Sequence, residues 1–401
     1  MKVDLEALDI SCPERFQDET HWALFSQLRR DDPVHFCARS AYGAYWSVTR
    51  YNDIAAIEAD HRRFSSHGNV IIGDVPPEFD STRAFATSDP PTHTRERRAV
   101  LPALSLSRVI DLAPVIRRKT AAILDALPSG TTFDWASRVS DELTTQMAAE
   151  LLGFPHRERH QLAHWYEALV TTPGPGTGLA TWEDRAAVIE QYRDRLLDMW
   201  AERETSPNRD VLSALTQNPH TGSMSDDPMH LVGTVSLIAG ANEAARAALS
   251  GAIVAFHRFP HEWEKLRSDS ALLDNAVSEI VRWQSPITHM RRTAVEDIEF
   301  RGKRIQKGDR VVMWYCSANR DEGHFRDAGR FNIERPNARR HLSYGHGIHR
   351  CLGRHVAEME LRILLKEMLA RFKRIEVTGE PTRLASNFSA NYTEVPVRLR
   401  V

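Results

Sequence analysis

The residues best suited to chemistry in this 401-residue chain lie in one stretch, Tyr344-Gly345-His346-Gly347-Ile348-His349-Arg350-Cys351-Leu352-Gly353. Cys351 is one of four cysteines; Cys12, Cys37 and Cys316 lie far from it and no CxxC pair occurs. Neither a disulfide framework nor a cysteine-rich zinc site is therefore expected. After the cysteine, Leu352, Val356, Met359 and Ile363 recur at helical spacing. Cys351 thus closes a glycine-rich loop against a helix N-terminus, whose positive dipole end favours an anion. His349 and Arg350 add cationic character. A thiol so placed is biased toward thiolate, a good metal ligand or nucleophile. Gly345 and Gly347 permit sharp turns, and Gly353 removes a side chain, so that something flat and bulky can approach. The alternative for any lone cysteine is a buried thiol in a turn. Here the two-glycine loop and the flanking cations weigh against it. A phosphate-cradling GxGxxG is not formed, because Arg350 holds the third glycine position, and His346 with His349 is a poor zinc set.

A second constellation sits in a long helical pattern from Met229 to Phe259, capped by the preceding Ser-Met-Ser-Asp-Asp-Pro. Its centre is small and apolar, which predicts burial, yet Asn242 and Glu243 stand in the middle.

The elements that position these residues read as mainly helical. Helical periodicity dominates from about 90 to 285 and 352 to 372. Strand signals cluster at about 30–65, 295–315 and 375–401, among them Pro33–Phe36, Ala44–Val48, Ile298–Phe300, Arg310–Met313 and Thr393–Leu399. The expected class is mainly α with a small β region (α+β), in a single domain over residues 1–401. The Pro/Gly-dense Thr171–Gly178 reads as a mobile loop between two helices. Hydrophobic residues make up 42% and charged residues 26%, and the net charge is −2, so no global bias toward nucleic acid or an acidic membrane appears. The N-terminus carries no apolar signal core, and the longest apolar run, Leu231 to Ala241, is about half the ~20 residues of a membrane span. A cytoplasmic protein with no nucleic-acid or membrane partner is expected.

The cysteine stretch resembles the haem-binding loop of the cytochrome P450 family, Phe-Gly-x-Gly-x-His/Arg-x-Cys-x-Gly, with Tyr344 in place of the phenylalanine. Glu279-Ile280-Val281-Arg282 is similar to the family's Glu-x-x-Arg motif, Arg330 to the arginine completing that triad, and Asp89 to Arg95 to the segment opening the helix over the haem propionates. The likeness runs from about residue 20 to the end. It implies a triangular-prism fold, a haem b whose iron is ligated by Cys351, and a cradle including Tyr344, Gly345 and Gly353. It further implies propionate partners at His93, Arg97, Arg292 and His349, and a structural ion-pair network of Glu279, Arg282 and Arg330. The tract Ser285 to Asp297 looks most like soluble bacterial enzymes that hydroxylate alkanes, terpenes or fatty chains.

The resemblance also implies a hydrophobic small-molecule substrate and a ferredoxin or other electron-transfer protein. Arg335, Arg339, Arg340, Arg350, Arg354, Arg362 and Lys366 offer a basic docking face or a merely solvated one. By analogy the substrate walls are His67–Ser88, Thr171–Thr181, Leu237–Ala244, Ile287–Met290 and Ser386–Tyr392. Within them Ile71, Phe85, Leu237, Ala241, Ile287 and Phe388 suggest an apolar pocket, with core packing as the alternative. One departure stands out. Where the family carries an acid followed by threonine, this chain has Glu243 and Ala244. The threonine helps deliver protons to oxygen, and a methyl group can neither donate nor accept. Two readings stay open. One is monooxygenation with the missing hydroxyl replaced by substrate or water and Glu243 as relay. The other is atypical chemistry on the same haem: oxygen-independent rearrangement, C–N ring closure or peroxide-driven oxidation.

Overall fold

The computed structural model describes residues 8–74, 83–170, 173–174 and 178–400. It is an α+β protein whose chain divides into two compact units. The first comprises residues 1–72, 115–142 and 243–401, and the second 73–114 and 143–242.

The first unit holds the β structure. A five-stranded sheet runs in the order Val34–Cys37, Tyr45–Val48, Arg310–Trp314, His289–Ala294, Phe64–Ser65. All its pairings are antiparallel except Tyr45–Val48 with Arg310–Trp314. Val34, Val48, Phe64, Val311 and Met313 turn one face onto Ile54 and Ile57 of the helix Tyr51–Ala59, forming a closed apolar core. Four of the strands expected from sequence appear within a residue at either end, and the last expected one divides into Tyr392–Glu394 and Pro396–Arg400. The strand His289–Ala294 was not anticipated. It reads His-Met-Arg-Arg-Thr-Ala, with no apolar alternation, and is a strand because it pairs on both edges.

The second unit is helical. Trp182–Thr205 begins with a capping box, the Thr181 hydroxyl accepting from the Asp184 N–H at 3.1 Å and Asp184 accepting in return at 3.0 Å. Asp210 caps the next helix and pairs with Arg203 at 2.8 Å. Pro228–Ala239 is capped by Asp227 with Pro228 at its first turn, as the sequence predicts.

The continuous helix expected from Met229 to Phe259 is instead two: Pro228–Ala239 and Ala241–Arg258, broken at Gly240. Glycine costs a helix about 1 kcal/mol relative to alanine, yet Gly233 and Gly251 in the same run stay helical, so the packing around Gly240 sets the place of the break. The Tyr166 ring fills the space a side chain would need, because a Cβ on Gly240 would lie 2.7 Å from Tyr166 Cε2. Among the described residues, no single helix is long and apolar enough to cross a membrane.

Candidate active site

Cys351 lies two residues before the N-cap, Gly353, of the helix Arg354–Arg371. Gly345 and Gly347 have φ of 65° and 64°, the left-handed region that side chains resist. The Cys351 N–H donates to the Tyr344 carbonyl at 2.7 Å and closes the loop on itself. On one side the loop packs tightly: a Cβ on Gly347 would lie 2.2 Å from the Glu58 carbonyl oxygen. On the other side it is open, for a Cβ on Gly353 would meet no atom within 4 Å. Cys351 is half-buried between these sides. The Tyr344 hydroxyl is buried without a hydrogen-bond partner among the described residues, and burial pushes its pKa well up, so it stays a neutral phenol.

The loop is held from below by buried ions. Arg282 donates from Nε and Nη2 to the two Glu279 oxygens, each at 2.7 Å, and Arg335 Nε lies 3.1 Å from both. Arg282 spends its other donor on the carbonyls of Asn319 (2.6 Å) and Ala328 (2.8 Å). The helix that carries Glu279 and Arg282 reaches the loop through Ser343, whose hydroxyl donates to the Val281 carbonyl at 2.8 Å. Arg335, not Arg330, therefore completes the triad. Arg330 exposes its side chain and contributes only its carbonyl, which accepts from Arg282 (3.0 Å) and Arg335 (2.8 Å). Arg335, 3% exposed, is also withdrawn from the basic face on which the sequence placed it. The stretch before the loop has no period, so nothing in the sequence tells which arginine turns inward. Arg339, Arg340, Arg350, Arg362 and Lys366 remain exposed.

The expected propionate partners fall in both units. In the first, His349 is half-buried at the end of the turn Gly347–His349, and Arg292 is buried on the strand His289–Ala294, its Nη2 3.3 Å from Glu58 Oε1. In the second, His93 and Arg97 lie one turn apart on the helix Thr92–Val100, His93 buried and Arg97 half-buried.

At the start of Ala241–Arg258, Glu243 Oε1 is 2.5 Å from Arg246 Nη2, and Arg246 Nη1 is 3.2 Å from Asp141. Asp141 ends a π-helical turn, Ala136–Asp141, a distortion often found at functional sites. The Glu243 carbonyl accepts from Asn391 Nδ2 at 3.2 Å. Ala244 is half-buried and offers no polar atom.

Of the expected pocket residues, Ile71, Ile287 and Phe388 come together in the first unit. Ile287 bridges Ser389, the Thr288 N–H donates to the Phe388 carbonyl at 2.9 Å, and the Arg291 N–H donates to the Val70 carbonyl at 2.7 Å. All three side chains are half-buried while Ile72, Thr288, Asn387 and Ser389 beside them are buried. The residue that ties them was missed from sequence: His289. Its Nδ1 donates to the Asn387 carbonyl at 2.9 Å, its Nε2 accepts from the Ile72 N–H at 3.1 Å, and its ring centroid is 5.4 Å from that of Phe388. Burial lowers its pKa to about 4, so it is neutral and can serve both bonds. No motif marks it, and a lone histidine carries no signal of its own.

In the second unit, Leu237 is the one half-buried residue between Leu231 and Ala239, whereas Phe85 is 5% exposed and packs as core. The side chain of Ala241, residues 75–82 of the His67–Ser88 segment, and most of Thr171–Gly178 lie outside the described residues.

Among the described residues no cluster of three or more His, Cys, Asp or Glu is placed to hold a metal ion. The residues of the first unit fit a haem: one thiol at the open end of a loop, glycines that clear its approach, and Arg292 and His349 as donors suited to carboxylates. The fold and this loop together are those of a protein built to hold a cofactor beside a cysteine.

Comparison with known proteins agrees. The cytochrome P450 family profile matches residues 243–394. The chain is 34% identical to linalool 8-monooxygenase of Pseudomonas putida over 96% of its own length and 97% of that protein. It is 29% identical to a methyl-branched lipid omega-hydroxylase of Mycobacterium tuberculosis, covering 98% and 94%. The solved structure of cytochrome P450-153 from Novosphingobium aromaticivorans superposes with a TM-score of 0.91 at 36% identity, covering 98% of this chain and 99% of that one. The chain belongs to the cytochrome P450 family and is a monooxygenase acting on hydrophobic small molecules. Membership implies a haem b cofactor with cysteine-thiolate ligation.

Proposed function

We propose that Cys351 would hold the haem iron as a thiolate and that the enzyme inserts one oxygen atom from O2 into a terpenoid or alkyl-chain substrate. The observation that carries this reading is the position of Cys351, half-buried beside the open face of Gly353. When bound, haem supplies the oxygen-activating chemistry, which thiolate donation favours. Arg292 and His349 of the first unit would offer the propionates charge-assisted donors. Ile71, Ile287 and Phe388 of the first unit, apolar yet only half-buried, would present a surface for a hydrocarbon chain to pack against. The names of the linalool and lipid hydroxylating relatives point to such chains. Electrons come from a ferredoxin or similar protein, which the exposed Arg339, Arg340, Arg350, Arg362 and Lys366 attract by charge.

Glu243 carries the proton once it releases Arg246, and a substrate hydroxyl or ordered water stands in for the group that Ala244 lacks. The atypical routes rest on that same alanine together with the Glu243–Arg246 pairing, which holds the acid away from the relay. Purified enzyme decides between the routes when product is followed with and without reductant under labelled O2. One labelled atom and a need for reductant are expected; unlabelled product formed without reductant overturns monooxygenation. The ligand assignment is checked separately. The ferrous–CO band of the wild type should carry the strong red shift of thiolate ligation and Cys351→Ser should lose it; a retained band would move the ligand elsewhere.

A further inference from the structure

The cysteine loop rests on a carboxylate that the proposed chemistry does not use. Glu58 lies in the last turn of the helix Tyr51–Ala59 and is 3% exposed. The Tyr315 hydroxyl donates to its Oε1 at 2.5 Å, Arg292 Nη2 lies 3.3 Å from the same oxygen, and the main-chain N–H of His346, inside the cysteine loop, donates to Oε2. The loop glycines fit the same residue: a Cβ on Gly345 would lie 3.4 Å from Glu58 Oε1, and one on Gly347 would strike the Glu58 carbonyl.

Arg292 and the His346 N–H can only donate, and the Tyr315 hydroxyl donates to Oε1 in this arrangement. Burial pushes the Glu58 pKa up, while Arg292, the Tyr315 hydroxyl and the His346 N–H pull it back; the guanidinium beside it together with the two further donors favours the charged form. Tyr315 stays neutral, since burial and the nearby Glu58 raise its pKa far above the usual phenol range.

We infer that Glu58 is the protein-side counter-ion of Arg292 and a positioning residue for the haem centre, fixing the His346–Gly347 turn and cancelling the Arg292 charge in the field at the iron. The inference rests on the Cys351 assignment. Ferric haem carries one positive charge more than ferrous, so a nearby carboxylate favours the ferric state.

Holoenzymes of the wild type, Glu58→Gln, Glu58→Leu and Glu58→Asp are titrated with dithionite against a mediator dye of known potential, one electron passing to each haem. The ferrous–CO band and the melting temperature are recorded beside each titration. At a fixed potential, E58Q or E58L should raise the ferrous-to-ferric ratio roughly tenfold with the thiolate band kept. E58D, which keeps the charge, should stay within about twofold of wild type while melting lower. A wild-type ratio in E58Q or E58L with the band intact overturns the inference. If both fail to hold haem while E58D holds it at the wild-type ratio, Glu58 is a clamp only, and the charge role is likewise overturned. A wild type without the thiolate band sinks the Cys351 assignment itself, an outcome distinct from a shifted or unshifted ratio.

Discussion

At residue 244 the chain gives up a hydroxyl, and the acid before it is held by Arg246 at 2.5 Å. On the proposed route the proton from Glu243 must then pass through a substrate hydroxyl or ordered water in place of the missing threonine. Ala244→Thr tests this directly, because it restores a hydroxyl at a half-buried position. On a hydrocarbon substrate with no hydroxyl of its own, A244T should raise product formed per electron pair severalfold, inside the roughly hundredfold a positioned proton donor can supply. On a hydroxylated substrate the gain should vanish. Product and peroxide measured against reductant consumed give the answer. Single residues differ in how plainly they announce themselves. Cys351 is legible because glycines, cations and a helix start surround it in sequence. Glu58 and His289 are not, since their partners lie far along the chain: Glu58 meets Arg292 and His346, and His289 meets Ile72 and Asn387.

Elements were legible where a period or a cap carried them. Trp182–Thr205 and Arg354–Arg371 follow apolar periodicity, and Pro228–Ala239 follows its Asp-Pro cap. They were illegible where tertiary contact decides. Gly240 breaks a helix that propensity alone would carry through, and the strand His289–Ala294 exists through pairing on both edges. The segment around Arg330 and Arg335 shows this in energetic terms. Arg335→Met removes one of two cations from a fully buried Glu279 and should cost about 3 kcal/mol. Arg330→Met changes an exposed side chain and keeps the carbonyl, so it should stay within about 0.5 kcal/mol of wild type. Urea midpoints of the two variants would reverse if Arg330 were the buried partner.

At the scale of the molecule, the stability of the first unit should peak near pH 6.5. Burial lowers His21 and His289 to about 4 and His341 to about 3. As pH falls below about 6.5, the unfolded chain binds protons that these folded histidines refuse until about pH 4, so stability falls. Burial raises Glu360 to about 8, so the folded state keeps a proton that the unfolded state loses above about 4.5. That term makes stability fall as pH rises toward 8. Between 4.5 and 6.5 three histidines outweigh one acid; above 6.5 the acid acts alone among these groups. Melting temperature from pH 4.5 to 8.5 should trace this dome, and Glu360→Gln should flatten its alkaline side. An unchanged alkaline slope in E360Q would remove Glu360 from the account.

The amino-acid order was enough for the family, the α+β class, the candidate ligand cysteine and the departure at Ala244, because each is written in local spacing: a loop motif, a helical period, one residue beside an acid. Which arginine neutralises Glu279, where the long helix breaks, and what holds Arg292 and the wall around His289 were decided by folding. Those outcomes depend on which groups lose water together, and a buried charge or imidazole takes whatever partner the packing brings within hydrogen-bond distance.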